Sequence, residues 1–385
     1  MSIQTKVDSF FKKEFNKQPS FFIAPGRINM IGEHTDYNDG FVMPTAIDKH
    51  FVFAITPSGS ELFTVHALDL DEKKIFSKNE LSQGHGWQNY LMGVVDGLIR
   101  REKIPGGVNC VFSSNIPVGA GLSSSAALCS GFGFALNELF GLGLSRLDLA
   151  KIAQESEHNF VGAKVGIMDM YASLFSKKDS VMLLDCRNYK HEYRPLKFEH
   201  HEILLIDTKV KHSLASSAYN NRREACEEGV RKLQRYFEKV KALRDVDLSM
   251  LEKIKPEVDE NVYKRCLYIV QEIKRTEEAA ASLKANEVTG FGKLMYETHW
   301  GLSKLFEVSC YESDYLVRLA EANQVTGARQ MGGGFGGCTI NLIQKDQREA
   351  FVARVKEKYF GEFKKEPDFY PVNLADGVGS LIVNR

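Results

Sequence analysis

The sequence predicts a mixed α/β first half followed by a helix-rich second half that returns to strands at its end, and three observations carry that expectation. Short β-branched runs alternate with glycine punctuation as far as Asp185, the texture changes after a polar stretch ending near Arg194, and long charged amphipathic stretches run from about Ser216 to Glu287. At 385 residues, 43% of them apolar, the chain exceeds one comfortable domain and can bury two cores. Two domains are therefore expected, over 1–190 and 191–385.

Taken in order, the N-terminal MSIQTKVDSFFKKEF interleaves charges with Phe at helical spacing. β-Branched and aromatic runs predict strands over 51–56, 62–66, 108–112 and 181–185, and apolar periodicity predicts helices over 87–101 and 125–140. A strand over 203–207 leads into the charged stretches, which read as helices with solvated outer faces. Strand-like runs return over 339–342 and 380–383, the last of them a candidate to rejoin the first domain. No internal repeat or low-complexity linker interrupts the chain, which excludes solenoids and disordered tails.

Charge and cysteine usage narrow the function classes. Fifty basic against fifty acidic residues leave no net field for a polyanion, so nucleic-acid and membrane-surface binding lack electrostatic support and any anion site must be local. The seven cysteines are spread out and never form a CxxC pair, which reads as reduced packing residues in a cytoplasmic protein without a zinc site or disulfide frame. No apolar run reaches the length of a membrane span or signal core.

The densest polar information lies in APGRINMIGEHTDYNDG, residues 24–40. Glu33 and Asp36 accept hydrogen bonds from neighbouring hydroxyls, His34 donates or accepts, and Arg27 presents a fork that fits phosphate oxygens. That inventory suits a polyol about to be phosphorylated. The bland alternative is a polar helix N-terminus capped by Thr35 or Asp36, with Glu33 facing solvent.

A second motif, PVGAGLSSSAAL over 117–128, follows a predicted strand and opens an apolar helix. Gly119 and Gly121 let the backbone approach an anion, with Ala120 and Leu122 between and after them, and Ser123, Ser124 and Ser125 add hydroxyls beside a helix N-terminus. A glycine loop with a serine cap is the plainer reading. No Walker lysine motif occurs anywhere, so nucleotide phosphates in this loop are held without one. The third motif, GARQMGGGFGGC over 327–338, contains a Gly-x-Gly-x-x-Gly string, but strand-like CTINLI follows it, so a dinucleotide fold fails on context and a glycine-rich hairpin or a functional loop remains. Between them, ESEHNFVGAKVGIMDMYAS over 155–173 sets Glu157 and Asp169 on either side of a small segment, 162–166, that can fold both toward one pocket. By itself Asp169 reads as a helix cap or a base, and Tyr219 as a surface helix residue.

These strings carry a resemblance. GRINMIGEHTDYN is similar to the N-terminal signature of the galactokinases, within the GHMP kinase superfamily; the 117–128 string resembles the GHMP phosphate loop, 327–338 the third GHMP motif, VGIMD the segment with the catalytic aspartate, and KHSLASSAYNNRR over 211–223 the segment whose tyrosine touches the sugar. The resemblance implies an N-terminal α/β and a C-terminal α+β domain with the active site in the interdomain cleft. It implies transfer of the ATP γ-phosphoryl group to O1 of α-D-galactose. By the same resemblance Asp169 orients O1 and takes its proton late, and Arg27 neutralises the transferring group. Glu33, His34, Thr35, Asp36, Gly166 and Tyr219 bind the sugar; Gly119, Ala120, Gly121, Leu122, Ser123, Ser124 and Ser125 hold ATP; and Ser125 with Glu157 hold Mg²⁺. A cytoplasmic monomer is expected. Two alternatives stay open: a kinase for N-acetylgalactosamine, arabinose or a galacturonate, and a non-catalytic sugar sensor.

Overall fold

A computed structural model of the protein describes residues 2–84, 86–103, 106–196, 198–210 and 215–381. The first residues of the 211–223 segment and the end of the strand predicted over 380–383 lie outside this set.

The first body is a seven-stranded sheet. In spatial order its strands are Gly379–Ser380, Ser20–Asn29, Pro44–Pro57, Val108–Ser114, Leu62–Ala67 and Glu72–Ser77, and Leu374–Ala375 also pairs with Pro44–Pro57. All pairings are antiparallel except that between Leu62–Ala67 and Val108–Ser114. Side chains alternate across these strands, so one face of the sheet buries Phe21, Val52, Ala54 and Val111 against Val7 and Phe11 of the N-terminal helix Ile3–Phe15. The other face, with Phe22, Phe53, Ile55 and Cys110, packs under the helices Gln88–Ile99, Ser124–Phe140, Arg146–Ser156 and Met168–Phe175.

One departure from the sequence expectation, the first strand, and one expected helical stretch matter for the site. Ser20–Asn29 is a strand that the sequence reading left unassigned, and its ladder with Pro44–Pro57 shifts register between Pro25 and Arg27, where Pro25 has no N–H to donate. The amphipathic stretch after residue 215 is three helices, Ala215–Leu233, Leu248–Ile254 and Glu260–Lys284, and their inner face forms a second core with Leu302 and Phe306.

A small sheet pairs Phe41–Val42, Ser180–Asp185 and Lys190–Pro195, and another has four antiparallel strands in the order Gly327–Gln330, Cys338–Gln344, His201–Asp207 and Asp368–Val372. One face of this four-stranded sheet is covered by the helices Tyr311–Ala322 and Arg348–Phe363, whereas Ile203, Leu205, Ile340 and Leu342 on the other join the core of the first body. The glycine-rich third motif is thus the turn of a hairpin, and it is pressed against the glycine–serine loop of residues 117–128: Cys338 N–H donates to Ala120 O at 3.2 Å.

Candidate active site

The polar run after the first strand folds inward because its charges find partners. Arg27, 3% exposed, donates from Nε and Nη2 to the two oxygens of Asp169 at 2.8 and 2.9 Å, and from Nη1 to Gly121 O at 2.7 Å. Burial works against the guanidinium charge, but Asp169 and Glu33 outweigh it and raise the Arg27 pKa. Glu33, far from facing solvent, is 1% exposed; its Oε1 accepts from Arg329 Nη1 and from the Gly332 N–H, each at 3.0 Å. Gly32 takes φ +92° where an added Cβ would sit 2.6 Å from Phe41 O, so only glycine makes this turn. Its N–H donates to the buried Glu272 at 3.0 Å, and Tyr268 Oη donates to Glu33 O at 3.1 Å, so the long helix Glu260–Lys284 fixes the loop from beneath.

Asp36 begins a short 3₁₀ turn, Asp36–Asn38, and accepts the Met168 N–H at 3.3 Å. Burial, with the nearby Asp169 charge added to it, pushes its pKa up to about 6 against the pull of backbone N–H groups. A Cβ on Gly166 would lie 1.8 Å from Asp36 Oδ2, so the two residues are in intimate contact. His34 bonds Tyr37 Oη through Nδ1 at 2.8 Å, and burial followed by the Arg222 charge drives its pKa down to about 3, which keeps the ring neutral. Thr35 is completely buried, with its hydroxyl given to Gly32 O and Phe41 O at 3.0 and 2.6 Å; it closes the loop and does not line the cavity.

Helix Arg146–Ser156 runs into a wide π turn, Glu157–Val161, which turns Glu157 indoors; such turns recur at functional sites. Burial raises the Glu157 pKa to about 7, and the Ser125 hydroxyl that bonds it opposes the shift. Asp169 sits in the first turn of Met168–Phe175, whose cap is Ile167, so the capping reading does not describe it. Besides Arg27 it accepts the Ser123 hydroxyl, and Ser123 takes the left-handed φ of +56° just before helix Ser124–Phe140.

These elements converge on one cavity of about 280 Å³ lined by Arg27, Glu33, His34, Asp36, Ser125, Glu157, Gly166, Asp169 and Tyr219, with the Gly332–Gly334 backbone at one edge. Tyr219 is half-buried, its ring 5.1 Å from His34 and 5.7 Å from Tyr37. Gly119 and Gly121 line a neighbouring space shared with Met331 and Gly333–Gly337, and Ser124 and Ser125 border a third, apolar cavity walled by Phe51, Trp87, Tyr90 and Phe112. Ala120 and Leu122 are buried and serve through their carbonyls, Leu122 O accepting the Arg27 N–H at 3.1 Å. Sequence reasoning missed Tyr90, Arg329, Tyr268 and Glu272. Arg329 stood inside a motif read for its glycines, and the three helix residues, Tyr90, Tyr268 and Glu272, carry no local signal.

A bidentate Arg–Asp pair, a glycine-loop helix N-terminus and a buried acceptor cluster together define a small-molecule kinase site of the GHMP type. Residues 89–177 match the GHMP kinases N-terminal domain, 279–361 the GHMP kinases C-terminal domain, and 9–57 the galactokinase galactose-binding signature. The chain is 41% identical to a galactokinase of Thermotoga neapolitana over 93% of this chain and 99% of that one, and 40% identical to a galactokinase of Thermosipho africanus with the same coverage. Lactococcus lactis galactokinase, solved in complex with galactose, superposes with a TM-score of 0.93 over 99% of this chain and 100% of that one, at 30% identity. The chain belongs to the galactokinase family.

Proposed function

We propose that the protein transfers the γ-phosphoryl group of ATP to O1 of α-D-galactose, giving galactose 1-phosphate and ADP in galactose catabolism. The observation that carries this reading is Asp169, clamped by both arms of Arg27 and facing the same cavity as Glu33, His34 and Asp36. Membership of the galactokinase family supports the choice of sugar.

Galactose would lie against Glu33, His34, Asp36, Gly166 and Tyr219, with O1 toward Asp169. Asp169 cannot swing, because Arg27 and Ser123 hold both its oxygens, so its first task is to orient O1. As the O1–P bond forms and the bond from P to the ADP oxygen breaks, the O1 proton passes to the carboxylate. The transition state of such transfers is loose, which makes alignment and charge stabilisation the main contributions. Arg27 supplies positive charge next to the transferring group, and the loop 119–125 with the Gly333–Gly337 backbone borders the space for the remaining phosphates. The apolar cavity walled by Trp87, Tyr90 and Phe112 borders Ser124 and Ser125, at the right side for the base of ATP.

The Ser125 and Glu157 oxygens suit a divalent cation. A buried carboxylate whose pKa is pushed to about 7, hydrogen-bonded by the Ser125 hydroxyl, gains from a positive ion beside it. These two residues would hold Mg²⁺, which when bound neutralises phosphate charge. Among the described residues no group of three or more His, Cys, Asp or Glu is placed to hold a metal, so phosphate oxygens and water would complete the shell.

We read residues 1–190 and 191–385 as the two GHMP domains. The pairing of Gly379–Ser380 with Phe22–Ile23 supports a return of the chain's end to the first domain, while Lys190–Pro195 stays paired with Ser180–Asp185. A cytoplasmic monomer is the matching cellular reading, and the seven free cysteines, six of them buried, support its reducing compartment. No helix of the described residues is long and apolar enough to cross a membrane. The test is ADP release coupled to an indicator reaction across a hexose panel. Galactose is expected to exceed glucose in kcat/KM by at least about a hundredfold, because an inverted C4 hydroxyl leaves a buried acceptor unpaired. Comparable turnover of the two sugars would refute the galactose assignment, and tight sugar binding without ADP release would favour the sensor.

A further inference from the structure

Arg329 lies on strand Gly327–Gln330 with its side chain completely buried, and its guanidinium crosses to the loop after strand Ser20–Asn29. Nε donates to Met30 O at 3.0 Å, Nη2 to Asn29 O, and Nη1 both to Glu33 Oε1 at 3.0 Å and to Gln330 O at 2.7 Å. Glu33 Oε1 also accepts the Gly332 N–H. The Glu33 side chain is 2% exposed, so this ion pair is nearly free of water. At such depth the desolvation of two charges offsets their attraction, and a well-packed apolar pair would hold the fold at least as well. What an apolar pair would not supply is a fixed acceptor. Oε1 is saturated by its two donors, and among the described residues no hydrogen bond ends on Oε2, although Glu33 lines the cavity.

We propose that Arg329 is a positioning residue for sugar recognition: it holds Glu33 so that Oε2 accepts one particular sugar hydroxyl. This rests on the galactose reading given above. The planar fork is what the task needs, since it meets the Asn29 and Met30 carbonyls and a carboxylate at once, whereas a lysine is a point charge without that fork. Two consequences separate positioning from bracing. An effect that passes through Glu33 falls on galactose and not on ATP, and it falls on one hydroxyl of the sugar. A mere strut of the hairpin would also disturb Gly333–Gly337, which border the phosphate side.

The experiment compares the parent with Glu33→Gln, Arg329→Lys, Arg329→Gln and the double variant Glu33→Gln/Arg329→Lys, using galactose and one monodeoxygalactose for each hydroxyl other than O1, with thermal melts alongside. Glu33→Gln and Arg329→Lys are each expected to raise the galactose KM about tenfold or more, with the KM for ATP within about twofold, the scale of one hydrogen bond to a charged group. The deoxygalactose lacking the hydroxyl that Glu33 accepts is expected to be indifferent to both changes, and the double variant to match the worse single. An Arg329→Lys that raises the KM for ATP as much as that for galactose, that penalises every deoxygalactose equally, or that multiplies with Glu33→Gln overturns the inference. So does failure of both Arg329 variants to fold while Glu33→Gln melts normally, for Arg329 is then a strut. An inactive parent overturns the galactose reading and this inference with it; an active parent with a silent Arg329→Lys overturns this inference alone.

Discussion

Glu33, His34 and Asp36 on one side of the cavity, and the 117–125 loop with the Gly332–Gly337 turn on the other, solve opposite problems with opposite materials. The first side is made of side chains withdrawn from water, each held by a named partner: Glu33 by Arg329, Asp36 by the Met168 N–H, His34 by Tyr37. Burial there forces His34 to stay neutral and lifts the Asp36 pKa to about 6, so under the proposed function sugar recognition would rest on hydrogen bonds fixed before any ligand arrives. The second side is largely backbone, with Gly119, Gly121, Ser123, Gly332, Gly334, Gly336 and Gly337 all at positive φ. Main-chain N–H groups tolerate many phosphate geometries, whereas a buried carboxylate tolerates one hydroxyl pattern. Selectivity is therefore expected on the side-chain side and charge management on the backbone side, with Arg27 and Asp169 at the seam.

The seam gives the largest test. Asp169→Asn and Arg27→Gln should each lose turnover by roughly a hundredfold or more, the scale of one acid/base or charge-stabilising group, while galactose binding by calorimetry persists. Asp169→Asn also leaves the buried Arg27 guanidinium without its charged partner, a cost of about 3–5 kcal/mol that thermal melts should register. Near-parental turnover in either variant would remove the seam from the chemistry.

Next in size is the side-chain half. Gly166→Ala thrusts a methyl onto Asp36 Oδ2, and displacing one binding group by about an ångström costs on the order of a hundredfold. Steady-state kinetics should show that loss in kcat/KM for galactose, with the KM for ATP little changed; Asp36→Ala should follow the same pattern at about tenfold or more. Equal effects on both substrates would erase the division of labour. On the other half, Glu157→Gln should weaken the apparent Mg²⁺ affinity in activity titrations by about tenfold or more while leaving galactose binding without nucleotide unaffected. Parental metal dependence would make Glu157 a structural residue.

The smallest effect is in pH. The Asp36 pKa is raised in the fold from its usual 3.8 to about 6, so the folded state binds that proton more tightly than the unfolded one. This contribution to stability is fully present below the unfolded value and is lost as pH rises through about 6. Asp36→Asn cannot lose it, so the Tm of the variant relative to the parent should climb between pH 4.5 and pH 7.5, on the order of a few degrees. Glu157→Gln should behave alike over a window reaching to about 7. In the parent, kcat/KM should fall on the acid side as these two carboxylates take up protons. A pH-independent Tm difference would mean that Asp36 is not withdrawn from water.

The sequence by itself determined the chemical inventory. Arg27, Glu33, Asp36, Gly119 and Gly121 stood out because their types and spacing are wrong for an ordinary core and right for an anion beside a polyol, whereas Glu157 and Asp169 took their roles from the resemblance. Period-2 and period-3.6 patterns placed part of the strands and helices, since local periodicity follows from which face is buried, but left helices such as Tyr311–Ala322 and Arg348–Phe363 unassigned. The strand Ser20–Asn29 escaped because Pro25 and Gly26 interrupt its apolar run, and its ladder survives there only through a register shift that Pro44–Pro57 accommodates. Tertiary structure alone decided what each charged group would be. Glu33 could have faced solvent until Arg329, 296 positions away in the chain, reached it, and the hydroxyl of Thr35 was left to close a turn. Asp169 lies in the first turn of a helix, and only Arg27 and Ser123 make it a fixed carboxylate at a cavity wall. The physical reason is that periodicity records burial of apolar faces, which is a local property, whereas the protonation, orientation and partners of a buried polar group depend on donors and charges brought from distant parts of the chain.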